Sequence, residues 1–274
     1  MTMKLTILGC GSSGGVPRID GDWGVCDPDE PRNRRSRCSF LVERMGNDGV
    51  TSVLVDTAPD LRTQMLAANV RHLDAVLYSH DHADQTHGID DLRVFAYRMR
   101  RRVPVYMDAA TSETLMQRFG YCFETPPGSS YPPILEARDM PAPAETMQLN
   151  GAGGGISATP LRQDHGNMDS LGFRFGDVAY SNDLVDMPDE SLEALEGVRV
   201  WVVDALRRDP HPTHAHLQRT LDWIERLKPE LAILTNMHID LDYRTLCNEL
   251  PEGVIPAHDG LSIEVGQDIS VSDD

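Results

Sequence analysis

The chain lacks any run of the roughly 18 apolar residues that a membrane-spanning helix needs. Its opening, Met1-Thr2-Met3-Lys4, enters a strand-like segment with no apolar region of a secretory signal. A cytoplasmic protein with no membrane partner is therefore expected. The five cysteines, at positions 10, 26, 38, 122 and 247, are odd in number and hold no Cys-x-x-Cys pair, which favours reduced thiols over a disulfide framework. Cations are scarce, with 25 Lys and Arg against 43 Asp and Glu and a formal net charge of −18. Such a surface excludes a non-specific nucleic-acid binder, and no long basic insertion is present to serve as an RNA arm. It leaves room for a small anionic substrate held at a metal. There is no internal repeat, low-complexity tract or linker-like shift in composition. A single domain over residues 1–274 is expected, with 40% apolar residues to build its core.

The chain is organised around Tyr78-Ser79-His80-Asp81-His82-Ala83-Asp84-Gln85-Thr86-His87-Gly88. An apolar strand-like run, Ala75 to Tyr78, leads in. A chain that leaves a strand still extended sends alternate side chains to one side, so His80, His82 and Asp84 are expected to converge. Neutral imidazole with carboxylate is ligand chemistry for zinc, manganese or iron.

Upstream, Lys4 to Leu8 reads as a strand that empties into Gly9-Cys10-Gly11-Ser12-Ser13-Gly14-Gly15-Val16-Pro17. This is not a Gly-x-Gly-x-x-Gly dinucleotide turn. Two readings stand: a phosphate cradle of backbone N–H groups, or a tight turn where backbones pass closely. The loop 21–38 carries the one basic island, Arg32, Arg34, Arg35 and Arg37, either an anion-facing lip or a loop paired with acidic neighbours. A hairpin is expected over Ser39–Glu43 and Ser52–Asp56, across Gly46-Asn47-Asp48-Gly49. Helical spacing marks 59–70, 90–102, 112–119, 188–195, 216–227 and 241–250. Residues 120–131 read as a loop or lid and 267–274 as a frayed tail. Ligand-type residues then recur at successive strand ends: His165, Asp183, Asp204, and Asn236 with His238. Such a series describes a site on one rim of a β scaffold.

The run His80-Asp81-His82-Ala83-Asp84 resembles the His-x-His-x-Asp-His signature of the metallo-β-lactamase superfamily, with Gln85 in place of the last His. The Leu8-Gly9-Cys10-Gly11-Ser12-Ser13-Gly14-Gly15-Val16-Pro17 opening, the Arg35-Ser36-Arg37-Cys38-Ser39 run and Asp259-Gly260-Leu261 resemble the phosphonate-pathway cyclic phosphodiesterases. These are relatives of the tRNA 3′-processing endonucleases. The resemblance implies an α/β (α+β) fold, the four-layer αββα metallo-β-lactamase sandwich, with a dinuclear metal site. By position, His80, His82 and His165 resemble the ligands of one metal. Asp183 resembles a bridging carboxylate, Asp84 a ligand of the second metal, and Asp56 a carboxylate that orients a ligand His. Asp204, at a buried strand end, is placed with Asp56 in the outer layer.

Three departures stand out. Gln85 and Asn236 occupy positions of second-metal His ligands, and only Cys26 stands where the phosphodiesterases carry a structural zinc cluster. Amide oxygens are harder donors than imidazole, so a second site of Asp84, Asp183, Gln85 and Asn236 is expected to favour manganese or magnesium, or to stay empty. His238 could replace Asn236 if its strand stays extended. His87 is less well placed, because helix is expected to begin near it.

The expected cofactor is one or two divalent ions, Mn or Zn. The expected activity is hydrolysis of a small cyclic or nucleotide-like phosphate ester by a metal-bound hydroxide. His214 resembles the general acid for the leaving alkoxide, and Asp84 is grouped with it at the reacting centre. A lactonase or thioesterase of the same fold, or a non-catalytic accessory protein with a degraded second site, is the alternative. A homodimer is compatible with all three.

Overall fold

The computed structural model describes residues 2–273. The first half consists of β1 (Met3–Gly9), β2 (Ser39–Gly46), β3 (Gly49–Val55), β4 (Ala75–Leu77), β5 (Val103–Met107) and β6 (Leu135–Asp139), interleaved with α1 (Leu61–Ala67), α2 (Ala83–Thr86), α3 (Arg93–Met99) and α4 (Ala109–Phe123). The second half carries β7 (Met147–Leu149), β8 (Ile156–Asp164), β9 (Asp169–Phe175), β10 (Val178–Ser181), β11 (Val200–Asp204), β12 (Leu231–Thr235) and β13 (Val254–Pro256), with α5 (Asp189–Ala194), α6 (Leu217–Leu227) and α7 (Tyr243–Glu249). Finally β14 (Leu261–Val265) and β15 (Ile269–Asp273) return to the first sheet. The two sheets run β15-β14-β1-β2-β3-β4-β5-β6 and β13-β12-β11-β10-β9-β8-β7.

Strand alternation explains the layers. Phe40 and Val42 of β2, Val53 and Val55 of β3, and Ala75 and Leu77 of β4 point into the core shared with the second sheet. Their neighbours Leu41, Leu54 and Val76 point the other way, onto Leu61 and Met65 of α1, Phe95 of α3 and Leu115 of α4. Leu192, Trp223, Ile224 and Leu246 of α5, α6 and α7 belong to the same contiguous apolar cluster as the second sheet. The stacked rings of Phe40 and Tyr180, 4.7 Å apart, bridge the sheets. This is the four-layer αββα sandwich.

The chain's direction through these sheets positions the site. Strands β3, β4 and β5 are parallel, as are β10, β11, β12 and β13. Their C-terminal ends carry Asp56, His80, Asp183, Asp204 and Asn236, so ligand-type side chains from both sheets gather on one rim. The Ser79 carbonyl accepts the Leu171 N–H at 3.0 Å and joins the two sheets there.

Several elements differ from expectation. Helix starts at Ala83, well before residue 90, and the segment 89–99 is a 3-10 turn, Ile89–Leu92, followed by α3. Helix α4 runs on to Phe123 through a non-helical Phe119, which shortens the expected lid. The tail is paired: Ile263 lies opposite Val271 in an antiparallel edge. Its alternation of Ile269 and Val271 with serines is a strand signal that the acidic tail composition masked.

Gly88, just past α2, is pressed against the loop after β3, where an added Cβ would lie 2.2 Å from the Ala58 carbonyl. That atom is backbone and cannot swing aside. Gly120, in α4, has nothing within 4 Å of an added Cβ. Gly88→Ala is expected to lower stability by about 1–3 kcal/mol through overpacking. Gly120→Ala is expected to be neutral or stabilising by up to about 1 kcal/mol. Urea unfolding of the two variants checks the contrast, and equal midpoints would refute it.

Candidate metal centre

The loop after β4 is clamped before it reaches α2. Asp56 accepts the Ser79 N–H and Oγ–H, both at 2.8 Å. Thr57 N–H donates to the Gln85 carbonyl at 2.7 Å, and Arg118 of α4 donates to the Asp81 carbonyl at 2.8 Å. His82, in extended backbone, is the last residue before α2. The expected alternation therefore holds for His80 and His82 and stops there.

The imidazoles of His80, His82 and His165 meet, with ring centroids 4.5 to 5.2 Å apart. Their ligand atoms all lie within 4.8 Å of one another. Hydrogen bonds aim them. The His80 Nδ1–H donates to Ser79 Oγ at 2.9 Å, which itself donates to Asp56, so Asp56 acts on His80 through Ser79. His165 Nδ1–H donates to the Thr213 carbonyl at 2.7 Å. Both Nε2 atoms are left for a ligand, and His80 Nε2 is buried with no partner. Burial holds the His80 ring down at about 4, so it is neutral at pH 7. A buried, unpartnered, neutral imidazole nitrogen facing two more imidazoles fits a divalent cation.

A second group, His165, Asp183 and His214, also satisfies the spacing for a cation, but it shares His165 with the first, and both Asp183 oxygens already accept amide hydrogen bonds. His214 Nδ1–H donates to Asp204 Oδ2 at 3.0 Å, with Asp183 Oδ1 3.5 Å away. Burial opposes the imidazolium, yet the Asp204 hydrogen bond and the charges of Asp204, Asp183 and Asp84 outweigh it and raise the ring to about 9. The ring lies 4.8 Å from His165. His211, which the sequence did not single out, packs at a tilt against His214 with ring centroids 5.1 Å apart. Its position in the Pro210-His211-Pro212-Thr213-His214 run was the available signal.

The remaining second-site candidates are placed differently from expectation. Asp84, in the first turn of α2, belongs to neither three-residue group among the described residues. Burial and the nearby Asp183 charge raise its carboxyl to about 6. Gln85 and Asn236 turn their amide nitrogens toward Asp183. Gln85 Nε2 donates to Asp183 Oδ2. Asn236 Nδ2 donates to Asp183 Oδ1 and to Asp204 Oδ2, each at 3.0 Å. Turning the Asn236 amide over would set its oxygen against two carboxylates. His238 is turned outward: Nδ1–H donates to Asp240 at 2.9 Å and Nε2 accepts from Arg18. His87 packs on Phe119 instead, 5.6 Å between centroids.

The glycine turn and the basic loop are framework. At Gly9 an added Cβ would lie 2.1 Å from the Arg37 carbonyl, so glycine permits a close pass of two backbones. Arg35 is 2% exposed and donates to Asn33 Oδ1 at 3.2 Å and to the His238 carbonyl at 3.3 Å. Arg32 and Arg37 pair with Glu30 and Asp60 at 2.7 and 2.8 Å. Arg34 lies over the Trp23 ring at 5.0 Å.

Residues 51–239 match the model of the beta-lactamase superfamily domain. An octanoyltransferase of Porphyromonas gingivalis is 30% identical over 263 residues, 94% of this chain and 51% of that protein, so the chain spans about half the length of this curated relative. A solved diphosphatase from the PhnP family is 35% identical, with a TM-score of 0.84 over 97% of this chain and 98% of that one. Zinc-bound PqqB from Methylobacterium extorquens shares the fold at 16% identity and TM-score 0.68, over 94% of this chain and 99% of its own. The short form of human tRNase Z does so at 13% and 0.63, over 95% and 98%. The αββα sandwich, the imidazole cluster on its rim and these likenesses agree, and the chain belongs to the metallo-β-lactamase superfamily, in the branch that holds the PhnP family.

Proposed function

We propose that this protein is a metal-dependent hydrolase, and specifically a phosphodiesterase of small cyclic or nucleotide-like phosphate esters. The observation that carries the reading is His214. It is held by Asp204 at 3.0 Å and stands beside the His80–His82–His165 cluster, where a leaving oxygen would need a proton.

In this reading His80, His82 and His165 hold a divalent cation, zinc or manganese, with Asp183 alongside. Such an ion supplies Lewis acidity and lowers the pKa of a water it binds. Asp56 and Ser79 fix the His80 tautomer, and the Thr213 carbonyl fixes that of His165. Asp204 keeps the His214 proton on Nδ1 and stabilises the imidazolium. The ring can then donate from Nε2 to an alkoxide as the P–O bond breaks. Asp204 is a positioning residue, working only through His214.

The 35%-identical relative is named a diphosphatase, which also points to phosphoryl chemistry. The octanoyltransferase name favours acyl chemistry, but it belongs to a protein about twice as long. Among the described residues, no exposed cysteine and no lysine stands at the imidazole cluster. Cys10, Cys26, Cys38 and Cys122 are buried and Cys247 lies on α7. The two lysines, Lys4 and Lys228, lie at the start of β1 and the end of α6, on the edge opposite the rim.

His80→Ala and His165→Ala are each expected to remove tightly bound metal and to abolish hydrolysis of bis(p-nitrophenyl) phosphate while circular dichroism stays unchanged. Elemental analysis of the desalted variants checks this, and full metal content in either one would refute the ligand assignment. His214→Ala and Asp204→Asn are expected to lower turnover of alkyl phosphodiesters by about 10²–10⁴-fold. The loss on p-nitrophenyl esters should be much smaller, because p-nitrophenolate leaves without a proton. Equal losses on both would remove His214 from the acid role. Hydrolysis of p-nitrophenyl octanoate outpacing every phosphodiester would favour the acyl reading.

A further inference from the structure

We infer that this chain holds one metal ion, and that the amide N–H groups of Gln85 and Asn236 neutralise Asp183 in place of a second cation. The inference rests on the metal-dependent reading above and sharpens it.

Asp183 is 3% exposed, and both of its oxygens are taken. Oδ2 accepts from Gln85 Nε2 and, at 2.8 Å, from Asn182 Nδ2. Oδ1 accepts from Asn236 Nδ2 at 3.0 Å. Three amides thus supply the positive ends of their dipoles to one buried carboxylate.

A second cation beside Asp183 would have to displace at least one of these donors, and they cannot retreat. Gln85 and Asn236 are each 1% exposed. Gln85 is fixed in α2, with its carbonyl taking the Thr57 N–H at 2.7 Å. The Asn236 amide also serves Asp204, so turning it away would strip a second carboxylate. Among the described residues, the one three-residue ligand group that includes Asp183, with His165 and His214, shares His165 with the first site and needs Asp183 to give up an amide. Asp84 joins no three-residue ligand group among the described residues. His214 Nδ1 is committed to Asp204, and His238 lies between Arg18 and Asp240. The buried unpartnered oxygens of these residues, Gln85 Oε1, Asn182 Oδ1 and Asp204 Oδ1, are two neutral amide donors and one carboxylate that joins no three-residue ligand group among the described residues. Imidazole at positions 85 and 236 would reverse the balance: a nitrogen lone pair would replace an N–H, and Asp183 would regain a free oxygen for a cation.

The full-length protein, loaded with excess zinc or manganese and then desalted, is compared with Gln85→His, Asn236→His and the double variant by elemental analysis. Cobalt(II) titration followed by visible absorbance gives an independent count. The wild-type chain is expected to retain about one equivalent of either metal and the double variant about two, with each single variant holding a weak second ion. Two equivalents in the wild-type chain would overturn the inference while leaving the hydrolase reading intact. Retention of none would overturn both. A folded double variant that still binds only one would show that the amides are not what excludes the second ion. Because the wild-type count needs no variant, misfolding of the double replacement cannot shield the inference.

Discussion

Three carboxylates buried on one rim, Asp56, Asp183 and Asp204, pose the electrostatic problem that the rest of the site answers. Each is at most 3% exposed, and a buried charge without partners is too costly to keep. Each receives its own solution. Asp56 takes the N–H and hydroxyl of Ser79. Asp204 takes the proton-bearing nitrogen of His214 and one N–H of Asn236. Asp183 takes three amides, and against its burial the neighbouring rings of His80, His214 and His165 and the Gln85 amide hold its carboxyl below the usual range. The imidazole cluster is then free of these obligations: His80 Nε2 remains buried and unshared, as a metal ligand must be before it binds.

How much of this was legible in the sequence follows from the range of each interaction. Strand alternation is local, so the inner and outer faces of β2, β3 and β4 could be read directly. The imidazole cluster could be read because His80 and His82 share an extended segment and the other rim residues follow apolar strands. The helix at Ala83 could not, because the tight return of the chain over Thr57 decides it: Thr57 bonds the Gln85 carbonyl and Gly88 N–H donates back to the Thr57 carbonyl at 2.9 Å. That contact spans 28 to 31 residues and has no periodic signature. The orientation of the amides was not legible for a related reason. A sequence shows that Gln and Asn stand at ligand positions, but an amide carries both a donor and an acceptor. Which end faces inward depends on how many carboxylates surround it, and at Asn236 there are two.

The basic loop shows the same limit from the other side. In a chain of net charge −18, a run of arginines invites an electrostatic reading, either toward solvent or toward an anion. Arg35 does neither: its guanidinium is a buried strut, bonded to Asn33 and the His238 carbonyl. Asn33 in turn donates to Asp242 at 2.8 Å, at the head of α7. The loop therefore holds the backbone just past Asn236 in place. A planar donor with five N–H groups suits a site of scattered carbonyl acceptors, so composition identified the residue but not its direction.

Backbone conformation brings these carboxylates and amides together. Among the described residues, seven non-glycines have left-handed φ, and three of them, Asp56, Asp183 and Asn236, are strand-end residues of this rim. An L residue there carries a conformational cost that glycine would avoid. Glycine cannot serve, because each of these side chains is a partner in the charge network. Asp and Asn tolerate this region better than most residue types, and they are also the shortest side chains that carry a carboxylate or an amide. A strand that stops in this conformation turns its last polar group across the rim instead of along the strand. That is how Asp183, ending β10, and Asn236, ending β12, come to face each other across the intervening β11. The strain is thus the structural means by which ends of separated parallel strands share one charge.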